Sequence, residues 1–280
     1  MEADEHLQRV ARHFDRNPVG YADVYLNVSS PSAFYFRRRQ SIVMRLLRVL
    51  DGGLVLDLGC GPGMYAEPCI AQGLRYYGID IAREAIAEAR KRYGQLQQAK
   101  FEVSDAKQLP FPSNSVDGVL CLGLLEYVPK EQEPSYVTEM VRVLKPDGII
   151  IFSFLNAASP YWVWADHVPP IVRNIRAVAK NARWVPFKDC NGERIPTRKF
   201  RLKERIELLR AAGLSVIEKT YFSLNILPAP LDTRFPGQSF GGKLEHLLQK
   251  DIFGWLGMAF VIAARTRGCN EVQYKRQPAD

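Results

Sequence analysis

The chain has 280 residues, 47% of them apolar and 24% charged, the proportions of a globular protein, which exclude a disordered, collagenous or coiled-coil chain. Its formal net charge of +8 is uneven: residues 160–210 carry 12 basic and 5 acidic side chains, and residues 51–159 carry 10 and 14. The middle of the chain therefore does not read as a nucleic-acid surface, and attraction for anions belongs to one segment. Length points to one large domain or a domain with an insertion. The cysteines at 60, 69, 121, 190 and 269 form no CxxC pair and leave one over in any disulfide scheme, which fits a reducing compartment. Residues 1–14 hold acids where a signal peptide is basic, and no stretch reaches the ~18 apolar residues of a spanning helix, so a cytoplasmic protein is expected.

In chain order, the first fifty residues read as a helical cap (1–50), with 41–50 packing on a sheet. A strand at 54–58 is followed by helical material after Pro62, a strand at 76–79 and a helix over 82–93. Strands follow at 100–103 and 116–122. The helix over 134–144 places Val137, Met140, Val141 and Leu144 on one face, and Lys145-Pro146-Asp147-Gly148 stops it before a strand at 148–154. Short apolar runs alternating with helices predict parallel strands joined by crossovers. The rhythm breaks for about fifty residues after Phe154. It resumes with a helix at 203–212 and strands at 214–222 and 258–266, the last two separated by a Pro- and Gly-rich loop (227–242) and a helix (243–250). An antiparallel ending added to an open parallel sheet is expected.

The chemistry concentrates in Leu54-Val-Leu-Asp-Leu-Gly-Cys-Gly-Pro-Gly63, a strand running into a loop with glycines at 59, 61 and 63. Alternate glycines let backbone approach a ligand and turn sharply, and the following helix is expected to offer its N-terminus. Asp57 ends the first strand, and Asp80 closes the next, placed to accept hydrogen bonds from ribose hydroxyls. A carboxylate two residues before the first glycine repels a pyrophosphate and suits a ligand bearing an ammonium group.

These residues, with Ser104-Asp105-Ala106, Leu109-Pro110-Phe111, Ser115-Val116-Asp117 and Leu144-Lys145-Pro146-Asp147-Gly148, resemble the class I S-adenosylmethionine-dependent methyltransferases over about residues 40–155, especially the small-molecule branch that includes ubiquinone and menaquinone C-methyltransferases. The chain departs from the family pattern where Phe-x-x-Asp is replaced by Ser115-Val116-Asp117. The resemblance implies an α/β, Rossmann-like doubly wound seven-stranded sheet, mostly parallel with an antiparallel last strand. It also implies N-terminal helices, a methyltransferase domain over 51–280 and a helical lid insertion at about 155–210.

The resemblance further implies S-adenosyl-L-methionine as cofactor. Asp57 with Gly59, Cys60 and Gly61 would hold its methionine moiety, Asp80 its ribose and Ile81 one adenine face. Asp105 and Ala106 would meet the adenine edge, Leu122 and Gly123 would lie behind the sulfonium, and Tyr25, from the aromatic segment Tyr21–Phe36, would contact the methionine carboxylate or wall the acceptor pocket. Cys60 reads as a small filler, since no cation adjoins it.

A sulfonium methyl is already activated, so positioning and water exclusion carry much of the rate, and a hydroxyl or carbon acceptor also needs a base. The candidate catalytic residues are His167, in the insertion, and Tyr127, which stands where related enzymes often have histidine; Asp166 is an alternative base, and Glu126 is expected nearer to the cofactor than to the acceptor. His6, His13 and His246 read as surface residues, and no metal-ligand spacing is present. Residues 171–184 form a basic amphipathic helix, with Ile171, Ile175, Val178 and Ala182 opposite Arg173, Arg176, Lys180 and Arg183. That segment fits either a lid packed on the domain or peripheral contact with an anionic membrane surface; Trp162, Trp164 and Trp184 flank it.

The expected activity is methyl transfer to oxygen or carbon, less readily nitrogen, of a small or lipid-like metabolite, with no nucleic-acid partner. The alternatives are an RNA methyltransferase, prompted by the pI of 9.2, and a cofactor-retaining protein that catalyses another reaction.

Overall fold

The computed structural model describes residues 2–26, 31–162, 195, 197–224 and 251–266. Three helices lead: α1 (Glu2–Asp15), α2 (Pro18–Leu26) and α3 (Pro31–Leu47). Then come β1 (Leu54–Leu58), α4 (Ala66–Ala71), β2 (Arg75–Asp80), α5 (Arg83–Tyr93), β3 (Ala99–Val103) and β4 (Val116–Leu122). After one 3-10 turn follow α6 (Glu133–Val143), β5 (Leu144–Leu155), α7 (Leu202–Ala211), β6 (Leu214–Leu224) and β7 (Gly257–Thr266).

The seven strands form one sheet in the order β3-β2-β1-β4-β5-β7-β6. Pairings are parallel from β3 through β5, and β7 runs antiparallel to both β5 and β6. The expected architecture is met. Strand order reverses between β1 and β4, which leaves a crevice beyond their carboxyl ends, where open α/β sheets bind ligands.

β1 shows why the sheet is central: Val55 packs with Leu46 of α3 and Ile86 of α5 on one face, while Leu56 and Leu58 pack with Val137 and Met140 of α6 and Leu209 of α7 on the other. Strands buried on both faces read as continuous apolar runs rather than alternations.

Two local expectations need correction. The helix after the glycine loop starts only at Ala66 and has six residues, because Gly63 N–H···O=C Cys60 and Ala66 N–H···O=C Gly63 bonds hold the intervening chain in turns. It offers no helix N-terminus to the loop. Lys145–Gly148 lies inside β5 rather than ahead of it: Val116 pairs with Leu144, the register shifts, and Gly118 pairs with Ile149. A bulge absorbs the extra residues of β5 against β4.

The loop 227–242, the helix 243–250, the helix 171–184, and His167, Asp166, Trp164, Trp184 and His246 lie outside the described residues.

Candidate functional site

A cavity of about 930 Å³, its open mouth included, lies over the carboxyl ends of β1, β2 and β4. Among its lining residues are Asp57, Gly59, Cys60, Gly61, Asp80, Ile81, Asp105, Ala106, Leu122, Gly123, Tyr127 and Tyr25. The structure therefore brings together every expected cofactor residue and one of the two expected catalytic residues.

The floor is the glycine loop. Its first amides are tied to the neighbouring strand, Gly59 N and Cys60 N both donating to Ile79 O at 2.9 and 3.0 Å, and Gly61 N donates to Asp80 Oδ2 at 2.8 Å. Gly61 (φ +53°) faces the cavity, and a Cβ there would approach only Tyr21, at 3.8 Å. Gly63 (φ +77°) serves packing instead, since a Cβ would meet Phe101 at 2.7 Å.

Asp57 is 2% exposed. Tyr76 donates its hydroxyl to Oδ2 at 2.7 Å, and no described residue hydrogen-bonds Oδ1. Burial pushes its carboxyl up to about 7, against the lowering effects of Tyr76 and Arg39. Burial also raises the Asp80 carboxyl, although its oxygens accept from Gly61 N and Ala82 N. A buried carboxylate beside a half-buried one, neither held in an ion pair, leaves negative charge that a cationic ligand offsets.

Arg39 of α3, 4% exposed, lines the same cavity. Its Nη2 donates to Tyr25 Oη at 2.6 Å and Nη1 to Leu122 O at 3.4 Å, while Nε has no hydrogen-bond partner among the described residues. Gly123 (φ +87°) separates it from Glu126: a Cβ there would lie 3.7 Å from Arg39 Nη1 and 3.8 Å from Glu126 Oε2. Glu126 accepts from Leu155 N at 2.9 Å, and burial pushes its carboxyl up to about 8.

The roof is aromatic and apolar. Leu7, Val10 and Phe14, at helical spacing on α1, line the cavity with Tyr21 of α2. Phe14 packs edge-on against Tyr21 and Tyr127, with ring centroids 5.9 and 5.3 Å away. Both ends of α1 are fastened across the mouth: His6 Nε2 lies 2.8 Å from Tyr127 O, and Asp15 Oδ1 accepts from Glu84 N, in the first turn of α5, at 2.7 Å.

An acid-flanked glycine turn at the switch point, faced by a buried guanidinium, fits the amino-acid end of a nucleoside. Residues 56–152 match the family model described as a methyltransferase domain. The chain carries a methyltransferase domain over those residues. A relative named "Probable S-adenosylmethionine-dependent methyltransferase" in Mycolicibacterium smegmatis is 25% identical over 83% of this chain and 79% of its own. A ubiquinone biosynthesis O-methyltransferase from Alkalilimnicola ehrlichii is 33% identical over 45% of this chain; the match spans about half (51%) of that protein. The crystal structure of magnesium protoporphyrin IX methyltransferase from Synechocystis PCC 6803 with bound S-adenosylhomocysteine superposes with a TM-score of 0.60, covering 93% of this chain and 99% of that one. At 17% identity that likeness speaks for the fold alone.

Within this methyltransferase site, some residues differ from their expected setting. Asp105 is exposed, and its Oδ1 accepts from Lys107 N and Tyr136 Oη, each at 2.9 Å, so one oxygen is spent holding a turn. His6, expected at the surface, is half-buried and bonded to the lip of the cavity. Burial, with Glu126 beside it, pushes the Tyr127 phenol up, so it is neutral at physiological pH and able to donate a hydrogen bond rather than take a proton. Burial beside Asp80 and Asp57 pushes the Cys60 thiol up, which disfavours a thiolate.

Arg39 and the α1 residues were not among the expected ligand contacts. Arg39 did leave a signal: Phe36, Arg39, Val43 and Leu46 recur at helical spacing and are all buried, so the arginine stands in the inward stripe of α3. Among the described residues, no group of His, Cys, Asp or Glu is placed to hold a metal, and no helix is long and apolar enough to cross a membrane.

Proposed function

We propose that the protein transfers a methyl group to an oxygen or carbon, less readily a nitrogen, of a small or lipid-like metabolite. The observation that carries the site reading is the charge pattern of the cavity that holds the glycine loop: buried Asp57, half-buried Asp80 and the buried, partly unsatisfied guanidinium of Arg39 line it together. A zwitterionic amino-acid nucleoside matches it, with ammonium toward Asp57, carboxylate toward Arg39 and ribose toward Asp80. Arg39 takes the place first given to Tyr25, which instead holds the guanidinium through its hydroxyl.

Ile81, Asp105 and Ala106 bound the adenine end, with Tyr136 fixing the Asp105 turn. Leu122 and Gly123 sit behind the reacting sulfur. When bound, the cofactor supplies a methyl group on a sulfonium. The protein's own part is to hold the acceptor in line, close the site with Leu7, Val10 and Phe14, and exclude water. Tyr127 donates a hydrogen bond at the acceptor end. His167 in the insertion remains the proposed base for an acceptor that must lose a proton, with Glu126 a buried carboxyl of suitable proton affinity beside Gly123. Preference for oxygen is supported by the relative named as an O-methyltransferase. Residues 171–184 are proposed to cover the acceptor or to touch an anionic membrane surface.

Isothermal titration with S-adenosylmethionine and S-adenosylhomocysteine, on the wild type and on Asp80→Ala, tests the site. Equal affinity in the variant rejects it. A metabolite screen read by mass spectrometry, seeking a product heavier by one methylene, tests the acceptor class; a product formed only on RNA would reject a small-molecule acceptor.

A further inference from the structure

Asp57 is useful to a cationic ligand only if one of its oxygens stays turned toward the cavity, and nothing on β1 itself holds it so. The adjacent strand supplies the device. The register pairs Asp57 with Gly78 and Val55 with Tyr76; side chains two residues apart on a strand share a face, so Tyr76 lies on the face of Asp57, one pair back. Its phenol reaches the carboxylate by lying along β2 across Gly78. A Cβ at Gly78 would come within 3.0 Å of Tyr76 Cε1 and 2.7 Å of Cys60 Sγ. The ring is 1% exposed, with the Phe101 ring centroid 5.7 Å away, and its hydroxyl donates to Asp57 Oδ2 at 2.7 Å. Tyr76 is not among the residues lining the cavity, so it acts only through Asp57.

We infer that Tyr76 is a positioning residue of the cofactor site: its phenol, laid over Gly78, fixes one oxygen of Asp57 and leaves the other to meet the ligand's ammonium group. This rests on the reading of Asp57 given above. It also fixes which pH range the site works in, because a hydrogen bond to the ionised form favours that form. Besides Tyr76, the titratable and charged groups facing Asp57 are Arg39, which favours its ionisation, Asp80, which opposes it, and Tyr65, Cys60, Cys69 and Cys121, all with raised proton affinities and neutral.

The test is isothermal titration of the full chain with S-adenosylhomocysteine at pH values from about 6 to 8.5, on the wild type, Tyr76→Phe and Asp57→Asn. Tyr76→Phe keeps the ring and removes the donor. Losing one hydrogen bond to a charged acceptor is expected to move the pH at which binding is half lost upward by about one unit. Affinity then falls about fivefold at pH 7 and about tenfold at pH 6, and returns to within about twofold of wild type at pH 8.5. An unchanged midpoint, or a weakening uniform across pH, would assign Tyr76 to packing and overturn the inference. Asp57→Asn separates the two levels: if it binds as tightly as wild type, the reading of Asp57 itself fails.

Discussion

Asp57→Asn should make the protein more stable at alkaline pH and weaken its hold on S-adenosylhomocysteine. Burial moves the folded-state carboxyl from 3.8 to about 7, so between those values the folded chain binds a proton that the unfolded chain has released. Stability linked to this group is full below about pH 4 and is lost as pH rises through about 7. The shift of about three units, at about 1.36 kcal/mol each, sets an upper bound of about 4 kcal/mol lost by pH 8. Asn keeps an acceptor for Tyr76 and carries no charge, but it buries an amide N–H₂ at a cost of about 1–3 kcal/mol. The net expectation is a gain of about 2 kcal/mol at pH 8, a melting point higher by about 5 °C, and little or no gain at pH 5. Thermal melts of both proteins at the two pH values read this out, and taking the difference between them cancels the parallel contributions of Asp80 and Glu126. At pH 8, where wild-type Asp57 is ionised, S-adenosylhomocysteine affinity should drop about a hundredfold in the variant, as expected when a charged partner of a buried ligand group is lost. A wild-type-minus-variant difference that does not change between pH 5 and pH 8 would refute the argument that Asp57 is a strained, buried charge.

Arg39→Met, which keeps bulk and removes the guanidinium, should weaken S-adenosylhomocysteine binding by about ten- to a hundredfold in titration calorimetry, and should weaken binding of adenosine, which lacks the amino-acid end, by less than about threefold. Cutting the fastenings of α1 with His6→Ala and Asp15→Ala should speed S-adenosylhomocysteine release about five- to tenfold in stopped-flow fluorescence, since each removes one hydrogen bond of about 1 kcal/mol from the closed mouth; unchanged release would show that α1 is not what closes the site. Glu133→Ala should cost about 3–5 kcal/mol in denaturant unfolding, because Glu133 is 2% exposed and pairs with both Arg198 and Arg205, leaving Arg205, at 6% exposure, without its counterion.

Much of the fold was legible because its signals are local. The alternation of apolar strands with helices such as α5 and α6 needs only a few residues of context. The Asp57 to Gly63 turn carries its chemistry in consecutive residues. Where distant packing decides, local signals fell short. The extension of β5 back to Leu144 depends on a bulge against Val116. Lys145–Gly148 has the composition of a turn, and pairing overrides it. Arg39 reads as one of three consecutive arginines, and only its place in the buried stripe of α3, together with the tertiary approach of Tyr25, makes it a site residue. His6 meets Tyr127 across 121 positions, a separation no local pattern bridges.

The return of the chain at Phe200 has a consequence for how this scaffold can diversify. Asn156 and Phe200 form a parallel bridge, Phe200 N donates to Leu155 O at 2.9 Å, and Ala157 N donates to Phe200 O at 2.9 Å. Below this clasp, Arg198 N donates to Glu126 O at 3.0 Å, and Trp162 Nε1 to Met258 O at 2.9 Å. The two ends of the intervening stretch leave the sheet side by side, so changing its length costs little closure entropy, about 0.6 kcal/mol per doubling. Residues can be added or removed between the two stitches while β1, β2 and β4 keep their register and the cavity at their carboxyl ends.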